Sequence, residues 1–171
     1  RRIHEAIERE RICGPKGELI KIEMFVHGAL CMAVSGKCYL SLHEANKSAN
    51  RGSCRQICRR SYRVTDMETG AELEVENKYI MSPKDLCTID FIDKLIEAGV
   101  SVFKIEGRAR PGEYVKRVTE CYGEAVAAYA EGRYTPEYAA ELKERLGTVF
   151  NRGFWGGYYL GKPLGEWSRH Y

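Results

Sequence analysis

Hydrophobic and polar positions along this 171-residue chain follow two alternating periods. Arg2 to Arg11 alternates charges at helical spacing, with Ile3, Ala6 and Ile7 on one side, which predicts an amphipathic helix. Gly14-Pro-Lys-Gly17 predicts a turn. From Leu19 to Gly28 the period shortens to two. Ile20, Ile22, Met24 and Val26 share one face, while Lys21, Glu23, Phe25 and His27 share the other. That pattern predicts a strand with one apolar and one mainly polar face. Cys31 to Ser61 then loses periodicity and becomes rich in Gly, Ser, Asn, Arg and Cys. It reads as a long loop with short helical pieces. A loop of that length inside a compact domain needs an organiser, and a metal centre would serve.

Further on, Tyr62 to Asp66, a turn at Met67–Gly70 and Glu72 to Asn77 predict a β-hairpin. Tyr79 to Ser82 reads as a short strand, and Pro83 to Leu86 as one helical turn capped by Ser82. Thr88 starts a helix through Ala98, with Ile89, Ile92, Leu95 and Ile96 as its stripe and Gly99 as its stop. Val100 to Arg108 is the next strand, with Val102, Lys104 and Glu106 on one face. Pro111 opens a long helix to Ala130, with Val115, Val118, Tyr122, Val126 and Tyr129 inward, and Thr135-Pro-Glu starts a last helix ending at Gly147. This order is the grammar of a parallel α/β sheet or α/β barrel. A complete eightfold barrel needs about 250 residues, so only part of one is expected here. Residues 1–150 read as that α/β portion, and the Gly- and aromatic-rich 151–171 as a tail or a junction to a further domain.

Composition narrows the class. At 44% hydrophobic and 30% charged, the chain has the make-up of a soluble globular protein. A net charge of +3 permits an anionic partner such as RNA without requiring one. No apolar run approaches membrane-spanning length, and Arg1-Arg-Ile-His does not lead into a signal sequence. A cytoplasmic chain is therefore expected, and because it opens on Arg it reads as a processed chain or a piece of something longer. Seven cysteines, an odd number, do not suit a disulfide framework. Cys13 and Cys121 read as buried apolar fillers.

The remaining cysteines carry the candidate chemistry. Iron–sulfur centres need thiolates that converge in space, often three close in sequence and one distant. Cys31, Cys38 and Cys54 with Cys87 fit that arrangement, and Cys58 competes for the fourth place. A zinc site, with His27 as a possible ligand beside Cys31, is the alternative. The polar strand faces supply a second set. Glu23, His27, Lys104, Glu106 and Arg108 would line a pocket at the strand ends, and Arg108 would grip a carboxylate or phosphate. Arg51, Arg55, Arg59, Arg60 and Arg63 form a basic segment that could meet nucleic-acid phosphates. No Ser-His-Asp set, H-E-x-x-H motif or P-loop is present, and a Cys31–His27 nucleophile pair lacks a third orienting group.

Several strings resemble one known family. They are Glu23-x-Phe25-x-x-Gly28-Ala-Leu-Cys31, Gly36-x-Cys38-x-x-Ser41, Asn50-Arg-Gly-Ser-Cys54-x-Gln-x-Cys58-Arg59, Ser82-Pro-Lys-Asp-Leu86, Lys104-Ile-Glu-Gly-Arg108 and Asn151-Arg-Gly-Phe154. In this order they resemble the collagenase-like peptidases of unassigned catalytic type. The resemblance implies the C-terminal portion of a modified TIM-type (β/α) barrel with an inserted cysteine-rich loop and hairpin. It implies either a peptidase or, as in better-understood relatives, oxygen-independent hydroxylation of tRNA wobble uridine, ribosomal RNA cytidine or a ubiquinone precursor. In those relatives prephenate is implicated, and some carry a 4Fe-4S cluster on four cysteines. Cys31, Cys38, Cys54 and Cys87 match that ligand set in order. The expected protein is thus an iron–sulfur protein of RNA hydroxylation, with RNA and a small carboxylate such as prephenate as partners, no membrane, and homodimer pairing at open strand edges. A peptidase with a metal- or cysteine-dependent site and a zinc-bridged peptide-binding scaffold are the other two readings.

Overall fold

Period-two and period-3.6 segments become strands and helices largely where the pattern puts them. A computed structural model describes residues 1–72, 79–161 and 165–169. In chain order it contains α1 (Arg2–Glu10), β1 (Ile22–Gly28), α2 (Tyr39–Ala45), β2 (Asp85–Cys87), α3 (Ile92–Glu97), β3 (Val100–Ile105), α4 (Gly112–Ala130), α5 (Pro136–Gly147) and β4 (Phe154–Trp155). Single 3-10 turns lie at Val34–Gly36, Ala49–Arg51, Ile57–Arg59 and Ile89–Phe91. β1 pairs with β3, and β2 with β4, both in parallel, so the fold is mixed α/β. Two units divide the chain, one of Arg1–Gly28 with Cys87–Phe150 and one of Ala29–Leu86 with Asn151–Tyr171. No described helix is long and apolar enough to cross a membrane.

In the first unit, Met24 lies opposite Phe103 and Phe25 opposite Lys104. The register then slips between Phe25 and His27. A bulge of this kind re-aims the side chains beyond it. His27 is therefore buried at 1% exposure, while Glu23 and Phe25 stay exposed. The expected common face of Glu23 and His27 does not form. Beyond the slip, Glu106 N donates to His27 O at 2.8 Å. Gly28 follows at φ 119°, where an added Cβ would stand 2.5 Å from Glu106 O, so this strand end accepts only glycine.

α4 buries Tyr114, Val118, Cys121, Tyr122, Ala125 and Ala128. That stripe is rotated from the expected one: Val115 is exposed, and two alanines take inward places assigned to Val126 and Tyr129. Small residues there let neighbouring elements approach closely, which a count of bulky apolar residues overlooks. α5 starts as expected, with Thr135 Oγ1 accepting from Tyr138 N at 3.2 Å and Pro136 in its first turn. The Arg145 guanidinium grips Glu124 from α5 to α4 at 2.5 and 2.7 Å. Cys121 is fully buried, as expected, but Cys13 is exposed and donates to Arg11 O.

The second unit departs more from the pattern. Pro83 to Leu86 is not a helical turn. Pro83 forms an antiparallel bridge with Trp167, and Asp85 and Leu86 pair with Phe154 and Trp155. Tyr79 to Ser82 is a turn, closed by Ser82 N on Tyr79 O at 3.1 Å, rather than a strand. The hairpin start is present as a Thr65–Glu72 bridge, with Asp66 Oδ1 capping the turn from Glu68 N and Thr69 N. Its second arm from residue 73 lies outside the described residues. The Gly- and aromatic-rich end contributes a strand to this unit, and Lys84 pairs with Glu166 at 2.8 Å.

Candidate metal centre

Four of the thiols belong to one unit. Cys31 follows β1 by three residues, and its sulfur accepts from Ala33 N at 3.3 Å. Cys38 is the N-cap of α2, with its sulfur accepting from Ser41 N at 3.4 Å. That backbone donor holds the Cys38 thiol below its ordinary pKa, because it favours the thiolate. Arg55 N donates to Ser41 Oγ at 3.4 Å, which ties the segment after Cys54 to α2. Cys58 sits half-buried in the 3-10 turn Ile57–Arg59. Burial pushes its thiol up, Arg59 pulls it down, and negative charge on Cys31, Cys54 or Cys38 pushes it up again. Cys31, Cys38 and Cys54 thus each act on Cys58.

Cys87 has different company. It lies in the first unit at 2% exposure, with Tyr122 Oη 3.8 Å from its sulfur. Burial pushes its thiol up to about 11, and the charged side chains acting on it are Lys143 and Asp90. His27 shares this core. Its ring is 5.6 Å from that of Tyr122 and 6.0 Å from that of Tyr114, and Nδ1 lies 3.5 Å from Tyr122 Oη. Burial lowers its pKa to about 4, so it is neutral. Tyr122 Oη also donates to Val26 O at 2.8 Å and accepts from Thr88 N at 3.0 Å.

Among the described residues no three Cys, His, Asp or Glu side chains stand close enough to hold an ion as they are. The donor set of Cys31, Cys38, Cys54 and Cys58 nonetheless fits a thiolate-held centre in kind. Four cysteine sulfurs in one unit, three of them acting on Cys58, are the kind of donor that zinc and iron–sulfur clusters take.

Arg59 is not part of a basic surface. It is 6% exposed, and its guanidinium donates to Leu30 O at 2.6 Å, Pro83 O at 2.6 Å and Ser82 Oγ at 2.9 Å. The expected approach of Arg59 to RNA is thereby ruled out. Arg51, Arg55, Arg60 and Arg63 are exposed, and Arg63 pairs with Glu72 at 3.2 Å.

By tying Leu30 to Pro83, Arg59 also fixes two walls of a cavity of about 260 Å³. Cys31, Met32, Trp155, Tyr158 and Trp167 line it as well. Trp155 and Tyr158 meet edge to face at 5.1 Å. Sequence reasoning missed this cavity. Its only signal was the density of aromatic and glycine residues after Asn151, which the period-based reading took for a tail.

The polar strand-end set is only partly assembled. Lys104 Nζ pairs with Glu23 at 2.8 Å and lies 5.1 Å from the centre of the Phe25 ring. Glu106 Oε1 accepts from Arg108 N at 3.0 Å, and Arg108 is exposed. His27 is turned away into the core.

Fold and site together define a mixed α/β protein with parallel strand pairs and a cysteine-rich segment after β1. The profile of Peptidase family U32 matches residues 7–169, and the chain belongs to that family. It is 66% identical to a protein named "Collagenase" from Porphyromonas gingivalis, over all of this chain and 41% of that protein. It is 38% identical over 148 residues to "tRNA hydroxylation protein P1" of Bacillus subtilis, covering 84% of this chain and 35% of that protein. It is 45% identical over 112 residues to "23S rRNA 5-hydroxycytidine C2501 synthase" of Escherichia coli, covering 66% of this chain and 17% of that protein. The chain thus spans less than half the length of these relatives. No solved structure matches it.

Proposed function

We propose that this chain is part of an iron–sulfur protein that supports oxygen-independent hydroxylation of a pyrimidine in RNA. The observation that carries the proposal is that Cys31, Cys38, Cys54 and Cys58 belong to one unit, with Cys38 capping α2 and Arg55 N tying the segment after Cys54 to the same helix. In this reading those four thiolates hold a 4Fe-4S cluster, and Cys58 takes the place first given to Cys87. The cluster, when bound, supplies one-electron chemistry. The protein's own residues do the rest. Trp155, Tyr158 and Trp167 offer flat faces on which a base can stack beside Cys31. Arg51, Arg55 and Arg60, all exposed, suit phosphate contacts. Arg108 offers a planar grip to a small carboxylate such as prephenate. Relatives named for tRNA hydroxylation and ribosomal RNA 5-hydroxycytidine synthesis support the substrate class. The parallel pairing of β1 with β3 and the partial coverage of those relatives fit a portion of a larger (β/α) fold, which we read as the C-terminal part of a modified TIM-type barrel.

Anaerobically purified full-length protein should carry iron and acid-labile sulfide in equal amounts. RNA from cells lacking the gene should lose a hydroxylated pyrimidine by mass spectrometry. Absence of both iron and sulfide would sink the cluster, and unchanged RNA would sink the substrate.

The name of the 66%-identical relative favours a second reading, a peptidase. It predicts cleavage of denatured collagen that disappears in Cys31→Ala. His27 would be a poor base for such a thiol, since it is buried among Tyr114 and Tyr122 and that burial lowers its pKa to about 4, weakening its hold on a proton. Zinc without sulfide, at less than one per chain, would point to the third reading of a zinc-bridged scaffold.

A further inference from the structure

Arg59 poses a charge problem. Arginine is rarely fully buried without an anionic partner. This one is 6% exposed, yet its three hydrogen bonds all go to neutral oxygens, those of Leu30, Pro83 and Ser82. Among the described residues no carboxylate lies within ion-pair distance of it. The nearby carboxylate, Asp85, is committed to a second buried guanidinium, that of Arg152, at 3.4 Å. Among the described residues, Arg59 therefore has no carboxylate of its own. The other groups whose negative charge acts favourably on Arg59 are the thiolates of Cys58 and Cys31.

Thiolate centres are anionic. Four thiolates around a divalent ion leave a net charge of two minus, and a four-cysteine cluster is negative as well. A fixed cation nearby stabilises that charge, and does so more strongly where water is excluded. Arg59 is fixed, because Leu30, Ser82 and Pro83 hold its fork from two stretches of chain.

We propose that Arg59 is the built-in countercharge of the thiolate centre, stabilising the assembled anionic site and favouring its acceptance of an electron. Arg59 is thus a positioning and tuning residue that touches neither RNA nor substrate. The inference rests on the four-thiol centre of the proposed function, but it holds for any metal that the thiols bind.

Three variants of the full-length protein separate charge from scaffolding. Arg59→Gln removes the charge. Arg59→Lys keeps it but loses the fork. Ser82→Asp leaves Arg59 in place and gives it a carboxylate. Folding of each is checked by circular dichroism. The first readout is Co²⁺ titration of metal-stripped protein, followed by thiolate-to-cobalt absorption. Arg59→Gln and Ser82→Asp should each weaken Co²⁺ binding about tenfold, a typical effect of one nearby charge, and Arg59→Lys by much less. The second readout is the midpoint potential of cluster-loaded protein. Loss of the positive charge disfavours reduction, so the same two variants should lie about 59 mV lower, a tenfold change for a one-electron couple. Equal losses in Arg59→Lys and Arg59→Gln would make the residue a mere clamp and overturn the proposal, as would unchanged values in Arg59→Gln. If Arg59→Gln fails to fold, Ser82→Asp decides alone. Native protein without iron or sulfide would refute the proposed function, while the Co²⁺ titration would still decide Arg59.

Discussion

His27 should make the stability of the first unit depend on pH between about 6.5 and 4. Its ring is 1% exposed and packed against Tyr114 and Tyr122, so the folded protein resists protonating it until about pH 4. An unfolded chain takes up that proton near pH 6.5. Between those values the unfolded state binds more protons, so stability falls as pH falls. Holding the folded pKa at about 4 against an ordinary 6.5 amounts, at about 1.36 kcal/mol for each pH unit, to a loss of about 3 kcal/mol by pH 4. Above pH 6.5 the residue contributes no slope. His27→Gln does not titrate and removes the effect. Urea unfolding of wild type and variant over this range separates it from the carboxylates, which both proteins share. The stability advantage of wild type over variant should shrink by about 2–3 kcal/mol between neutral pH and about pH 4.5. Parallel curves would refute the argument, as would a His27 resonance titrating near 6.5. Iron content of His27→Gln should equal that of wild type at neutral pH, since the residue is assigned to the core and not to the metal.

Other expectations are as direct. Serine at Cys31, Cys38, Cys54 or Cys58 should abolish most iron and sulfide in anaerobic preparations, whereas Cys87→Ser should keep both, and loss of the cluster in Cys87→Ser would restore that residue as the fourth ligand. Asp85→Asn removes the carboxylate paired with the buried Arg152 guanidinium and should cost about 3–5 kcal/mol in urea unfolding, and a change under 1 kcal/mol would show that the pair is not the anchor described. Tyr122→Phe removes the donor to Val26 O but leaves Thr88 N bonded to that carbonyl at 3.1 Å, so a loss of about 1 kcal/mol is expected, and several times that would mean that the hydroxyl organises His27 and Cys87 too. Trp167→Ala, at a side chain 38% exposed, should weaken single-stranded RNA binding about tenfold with iron content intact, and unchanged binding would remove the stacking role.

Much of the first unit was legible because its signals are local. Thr135 and Pro136 announce α5, Gly99 ends the turn after α3, and alternation from Ile22 onward gives β1. What misled was tertiary. A register slip after Phe25 sends His27 inward, and no period-two pattern reveals a bulge. Pro83 looked like a helix start because Ser82 precedes it, but Trp167, 84 positions later, claims that segment as a bridge partner. Pattern could not see that pairing. Spacing left the fourth thiol open between Cys87 and Cys58, and the family resemblance pointed to Cys87. The fold puts Cys87 in the core beside Tyr122 and Cys58 in the same unit as Cys31, Cys38 and Cys54, a placement that no sequence spacing shows. The arginine segment shows the same limit, since Arg55 is solvated and Arg59 interior, and their helical spacing hides the difference.

The division of the chain has a consequence for how the protein is made. The second unit is interrupted in sequence, with Ala29–Leu86 and Asn151–Tyr171 separated by most of the first unit. Every cysteine of the proposed centre is synthesised in the earlier stretch, but Trp155, Tyr158 and Trp167, which complete the adjoining cavity, emerge last. On the ribosome the thiols are therefore exposed without their partner segment for as long as the intervening 64 residues take to appear. Maturation of the site is in this sense a late event, and a chain stopped after Phe150 would release the cysteines while withholding the aromatic wall beside Cys31.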